Sequence, residues 1–376
     1  GNTGTRWSSQ FSDPQWIQVD LGTSTTICQV GLQWEAAYGK AFQIQTSANG
    51  STWTTAYSTT TSTGGNQTLT VAGTGRYLRV YGTQRGTGYG YSLWELRVFA
   101  ETTGGPTDPV EPTDPRNPNF GPNVNVYDPS TPTSTIQGRL NQLFTAQETN
   151  QFGPERYAVL FKPGSYTADV NLGFFTQVAG LGMSPDDVNL NGDVRVEAFW
   201  MNGNATQNFW RTAENLSVTL PAGTTVERYA VSQAAPYRRM HLRGAQNQIQ
   251  LWNGGDGWSS GGLMADTKVD GAVVSGSQQQ WYSRNSEFGS WSGSVWNMVF
   301  QGVQGAPPNH FPNPSHTVIS TTPVVREKPF LYFANGEYRV FVPALRQNST
   351  GTSWYNKTPA GTSISLADFF IVRPGT

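Results

Sequence analysis

The 376 residues predict an all-β chain, a β-sandwich over the first hundred residues followed by a right-handed parallel β-helix. Three observations carry the prediction. Apolar and polar residues alternate with period two in Trp16-Ile17-Gln18-Val19-Asp20-Leu21 and Tyr77-Leu78-Arg79-Val80-Tyr81, as in half-buried strands. Helical periodicity is nearly absent over the last two hundred residues, which disfavours an α/β fold. The composition, 42 Gly with 13% charged and 12% aromatic residues, suits a turn-rich β protein.

In chain order, the first zone (1–100) holds strands at Gln15–Leu21, Thr26–Trp34, Ala41–Ser47, Gln67–Val71, Arg76–Tyr81 and Leu93–Phe99. Asn49-Gly50 is a hairpin-turn signal. Residues 101–135 are Pro-rich; proline removes amide donors and fixes φ, so this zone reads as an extended linker. The third zone, 136–376, opens with a helix over Ile136–Phe144, where Leu140, Leu143 and Phe144 share a face. Short strands follow at irregular spacing, from Tyr157–Lys162 through Phe330–Ala334 and Tyr338–Pro343. No regular repeat and no Asn-Gly hairpin is read there, which favours stacked coils over a propeller or second sandwich. The opening Gly-Asn-Thr-Gly-Thr and the closing run from Leu366 to Thr376 both read as truncated elements.

Bulk properties exclude several classes. A net charge of −1 leaves no basic surface for nucleic acid. No apolar run approaches the ~18 residues of a membrane span. Cys28, the single cysteine, alternates with apolar residues and reads as a buried small hydrophobe. The three histidines, His241, His310 and His316, form no zinc motif, and no serine-hydrolase elbow or phosphate loop is present. Thirteen Trp offer flat faces suited to sugar rings or to a core. A secreted monomer is the expectation.

The runs Leu32–Trp53 and Gly88–Phe99 resemble the discoidin-like β-sandwich of family 32 carbohydrate-binding modules. That resemblance implies a glycan site on loops at one end of the sandwich, carried by Trp34, Glu35, Tyr38 and Lys40 from one loop and Arg85, Tyr89 and Tyr91 from another. Aromatic faces would pack on pyranose C–H groups while charged groups fix hydroxyls; Trp34 and Tyr91 could equally be core. The resemblance also implies a structural Ca²⁺, for which Asn2, Thr5, Trp94 and Glu95 supply hard oxygens. The Asp that leads this loop in the family is missing here.

Ala158-Val159-Leu160-Phe161-Lys162-Pro163-Gly164-Ser165-Tyr166 and Thr176–Gly182 resemble the opening coils of pectin-lyase-like β-helices, in which a helix caps the first coil. Gln278–Ser286 and Gly293–Phe300 are similar to the first β-helix of family 55 glycoside hydrolases, which join two β-helices and cleave β-1,3-glucan. This implies a glycoside hydrolase acting on β-1,3-glucan, with α-1,3-glucan second. The family's catalytic acid lies on the second helix, and nothing in this chain matches it. Asp266, Asp270 and Glu287, within the aromatic stretch Trp252–Trp296, are the carboxylates that could line a cleft. A non-catalytic adhesion protein and a polysaccharide lyase, with Lys268 as its base, remain alternatives.

Overall fold

The computed structural model describes residues 5–100, 114–255 and 257–371. They divide between two compact units, Gly1–Asp108 and Pro109–Thr376.

The first unit is one antiparallel ladder of six strands, β1 (Trp7–Ser8), β2 (Gln15–Trp34), β3 (Gly39–Ser47), β4 (Thr54–Thr59), β5 (Asn66–Arg85) and β6 (Ser92–Ala100), in the order β1-β6-β2-β5-β3-β4. Sequence reading breaks β2 at Gly22 and β5 near Gly73–Gly75. Both strands instead bend there without leaving the ladder, and the register slips between Asp20 and Thr25. A Cβ on Gly75 would lie 2.6 Å from the Ser47 carbonyl oxygen, so only glycine lets the strands cross so closely. The bend folds the ladder around a core that includes Ile27, Val30, Leu32, Phe42, Ile44, Leu78 and Val80. Cys28 is half-exposed rather than buried. It sits at a second register slip, between Ile27 and Gln29, where a bulge interrupts the in–out alternation.

The second unit is a parallel β-helix. Nine parallel strands stack from Val124–Tyr127 to His316–Ile319, and further parallel ladders run through Gly164–Asn171, Val188–Arg195, Val226–Arg228, Gln248–Gln250, Lys268–Val274 and Glu287–Ser292. The register aligns Val159, Val178, Ala213, Tyr237, Met264, Ser283 and Phe300 in one inward column, all buried. Strand alternation makes this column, because a step of two residues returns to the same face. The helix α1 (Thr133–Gln147) closes the first coil with Ile136, Leu140 and Leu143, as the resemblance implies.

Two expectations change. The predicted linker 101–135 lies partly outside the described residues, and its second half is built into the fold: Val124–Tyr127 pairs with Tyr157–Phe161. Prolines flank that strand without entering it. Phe330–Ala334 and Glu337–Pro343 are not coils. They form an antiparallel hairpin, joined by Gly361–Ser365, whose turn is Asn335-Gly336 with φ of 54° and 80°. That dipeptide is a hairpin signal. Residues from this sheet, Tyr338 and Val340 among them, cover Leu160, Ala179 and Leu181 on the outside of the coils.

Candidate functional site

In the first unit, the loop after β2 and the loop before β6 meet at one end of the sandwich. The Glu35 amide donates to the Ser92 carbonyl at 2.9 Å, and the Ser92 amide to that of Ala37 at 2.7 Å. These bonds fix a pocket of about 200 Å³ lined by Arg6, Ser9, Phe11, Glu35, Tyr89 and Tyr91, among others. Arg6 pairs with Glu35 at 3.2 Å, and Glu35 Oε2 also accepts the Ala37 amide. Tyr89 is 65% exposed, its ring edge-on to Phe11 at 5.9 Å. An exposed ring beside a held carboxylate and guanidinium can stack on a sugar and bond its hydroxyls.

Of the seven predicted sugar contacts, Glu35, Tyr89 and Tyr91 line this pocket. Tyr91 is buried, with its hydroxyl donating to Asp13 and its phenol pKa pushed up by burial, so it offers only an edge. Arg85 stands behind the loop: it pairs with Asp13 at 3.2 Å and donates to the Phe11 carbonyl at 2.8 Å. It positions Phe11 without itself lining the pocket. Trp34 is corrected to a core residue, 4% exposed and packed on Phe42, with its indole N–H donated to Gln67. Tyr38 lies under the glycine loops, 2.4 Å from where a Cβ on Gly86 would sit, and Lys40 is exposed outside the lining. Arg6, Ser9, Phe11 and Asp13 escaped sequence reading, since they come from the opposite end of the unit's sequence.

For the metal, Asn2 lies outside the described residues. Trp7 pairs with Leu93 and Ser8 with Ser92, a register that brings Thr5 level with Glu95 when continued. Among the described residues no group of three His, Cys, Asp or Glu could hold a metal ion, so carbonyls and hydroxyls would have to complete any cage.

In the second unit the three catalytic candidates are held by the fold. Asp266 is fully buried in a corner where Asn215, Arg239, Asp266, Asn285 and Gly302 stack with positive φ. Arg239 pairs with it at 3.0 Å, and the Ser353 hydroxyl donates to it at 2.7 Å. Glu287 Oε1 accepts the amide and hydroxyl of Thr352. Both carboxylates therefore clasp the chain at Thr352–Ser353. Asp270 accepts the Gly244 amide at 3.0 Å and approaches His241 Nε2 at 3.2 Å and Lys268 at 3.4 Å. Burial alone would raise its pKa, but those partners outweigh burial and hold the carboxyl below its ordinary value. A group held ionised is a poor general acid. The stretch Trp252–Trp296 divides: Trp281 and Trp291 point into the coils, while Trp258 and Trp296 point out. Lys268 is held between Asp270, at 3.4 Å, and Glu287, at 3.8 Å.

A recess of the second unit is lined by none of these three carboxylates. It encloses about 580 Å³ and is lined by Phe199, Asn202, Gly203, Asn204, Asn253, Gly254, Gly257 and Trp258. Phe199 and Trp258 are both more than half exposed. The Ala205 amide donates to the Trp258 carbonyl at 2.7 Å, and Asn253 Oδ1 accepts the Ala198 amide, which ties the two loops across coils. Exposed rings between neutral amide side chains suit an uncharged polyhydroxylated chain. Sequence reading reached one side of this recess through the stretch Trp252–Trp296 but missed the other, Phe199 and Asn202–Asn204, where Asn and Gly look like ordinary turns.

Residues 1–80 match the family model described as F5/F8 type C, a NedA-like, galactose-binding domain. Over 258 residues, 68% of the chain, the sequence is 57% identical to an exo-beta-1,3-glucanase of Streptomyces sp. (strain SirexAA-E / ActE). The chain spans 41% of that protein's length. Among solved structures, sacteLam55A from Streptomyces sp. SirexAA-E matches with a TM-score of 0.66 and 55% identity, over 69% of this chain and 46% of that one. A variant of the same protein in complex with glucose matches at 54% identity, with the same TM-score and coverage. Both resemblances read from the sequence, to a discoidin-like sugar-binding module and to a β-1,3-glucanase β-helix, are borne out.

Proposed function

We propose that the chain serves the breakdown of β-1,3-glucan outside the cell, with the first unit holding the polysaccharide and the second presenting one wall of the substrate groove. The observation that carries this reading is the 57% identity to an exo-beta-1,3-glucanase. The ring-and-amide recess at Phe199, Asn204, Asn253 and Trp258 supports it with suitable chemistry. The test is affinity electrophoresis of the full chain through gels containing laminarin, α-1,3-glucan or pectin. Retardation by laminarin supports the reading. Free migration in laminarin overturns it, and retardation by α-1,3-glucan alone would move the assignment to that linkage.

A second reading, glycan binding without hydrolysis by this chain, is favoured by one observation: the three candidate carboxylates are engaged by the fold, Asp266 and Glu287 at Ser353 and Thr352 and Asp270 at the Gly244 amide. Glycoside hydrolysis ordinarily needs two. Release of reducing sugar from laminarin separates the readings.

For the first unit we propose a structural Ca²⁺ held by the Thr5 carbonyl and hydroxyl, the Asn2 and Trp94 carbonyls and the Glu95 carboxylate. The extrapolated pairing of Thr5 with Glu95 supports it. The ion would pin the first residues to β6 and so steady Arg6 and Ser9 at the pocket.

A further inference from the structure

Two bulky rings of the second unit sit in left-handed backbone conformations, Phe175 with φ 54° and Trp210 with φ 49°. Large side chains avoid that region, and its occupation marks a constraint beyond local preference. The register shows what imposes it. Gln177 pairs with Thr212, Ala213 with Tyr237, and Tyr237 with Met264. Counting back from these pairs, Phe175, Trp210, Ala234 and Gly261 occupy one corner on four successive coils. All four have positive φ, 59° at Ala234 and 113° at Gly261. The corner dictates the backbone; the aromatic side chains are not what it asks for.

The rings do something else. They stack with planes 13° apart and centroids at 5.2 Å, and the Arg156 guanidinium lies 3.4 Å from the Phe175 centroid. Phe209 also leans on the Trp210 ring, with centroids at 5.6 Å and planes 55° apart, and Trp210 nevertheless stays 43% exposed. The next coil offers only a methyl at Ala234 and the one after only a hydrogen at Gly261. The aromatic column therefore ends at Trp210, above a step two coils long, ~10 Å at ~4.8 Å per coil. Polar groups border the step. Gln233 Nε2 donates to the Ser260 carbonyl at 2.6 Å, and Gln280 Nε2 reaches the same oxygen at 3.4 Å. Trp258 of the recess stands two residues before Ser260.

We propose that the exposed part of the Trp210 ring is the stacking wall of a pyranose subsite that continues the Phe199–Trp258 recess along the helix axis. It takes one sugar of a neutral glucan, with Gln233 and Gln280 within reach of its hydroxyls. The inference rests on the reading of the second unit as glucan-binding.

Oxidative footprinting of the full chain with laminarihexaose, read tryptophan by tryptophan by mass spectrometry, tests it. Protection of Trp210 together with Trp258, while Trp16 on the first unit is unchanged, is the expected result. Protection of Trp258 without Trp210 overturns the subsite and leaves the glucan reading intact. Protection of neither overturns both. The variant Trp210→Gly gives a second check, because glycine relieves the corner. Its melting temperature should hold or rise while laminarihexaose no longer protects Trp258 as strongly. A marked fall in melting temperature with full protection of Trp258 would make the stack a structural prop and overturn the proposal.

Discussion

Tyr237 donates its hydroxyl to Glu227 Oε1 across 2.7 Å in the closed interior of the β-helix, where both side chains are fully buried. Burial, only partly opposed by that bond, pushes the Glu227 carboxyl up to about 8. It is neutral in the folded chain at pH 7 and ionised once unfolded. The native state therefore holds the extra proton between the ordinary value of 4.5 and about 8. The associated stability is complete below that window and is lost as pH rises through it, at roughly 1.4 kcal/mol per pH unit. Urea denaturation of Glu227→Gln should show a shallower decline between pH 5 and pH 8 than the parent. Equal slopes would mean that Glu227 is ionised in the fold.

Asp266 should behave as a structural residue. Removing it leaves Arg239 buried and uncompensated, so Asp266→Ala should cost about 3–5 kcal/mol in chemical denaturation. Adding Arg239→Met should recover much of that loss. A variant that melts like the parent but loses an activity would return Asp266 to chemistry.

At the sugar pocket, Tyr89→Ala should weaken laminarin retardation by ~1–2 kcal/mol with an unchanged melting temperature, as for loss of one exposed aromatic face. Trp34→Ala should instead lower the melting temperature, at a cost of about 3–5 kcal/mol for an emptied core site. If Tyr89→Ala and Glu35→Ala both bind like the parent, the pocket is not the glycan site.

Calcium should raise the melting temperature of the first unit, and chelation should lower it, since an ion bound only by the native state stabilises by mass action. Differential scanning calorimetry with and without EDTA reads this. Identical transitions would remove the metal from the account.

The sequence made the sheets legible wherever alternation carries them. Trp16–Leu21 and Tyr77–Tyr81 alternate because one face is wet, and Ala158–Phe161 are uniformly apolar because a coil and its cover enclose them. The joins were harder. Gly22 and Gly75 look like chain breaks but mark bends within twenty-residue strands, since glycine serves both purposes. Site residues were legible where one loop carries them, as with Glu35 and Tyr89. They were not where partners arrive from afar, as with Phe11 and Asp13. The three catalytic candidates are engaged by groups distant in sequence, Asp266 by Arg239 and Ser353, Glu287 by Thr352 and Asp270 by the Gly244 amide, contacts that no local pattern announces. Within the stretch Trp252–Trp296, Trp281 and Trp291 lie on strands and point into the coils, whereas Trp258 and Trp296 lie between strands and stay more than half exposed. Rings held at positive φ, such as Trp210, leave no trace in composition or period.

The most direct test of the central claim is a crystal structure of the chain with laminarihexaose. The account predicts sugar density in the recess of the second unit, with rings against Phe199 and Trp258 and hydroxyls near Asn204 and Asn253. Density confined to the first unit, with that recess empty at saturating sugar, would contradict it.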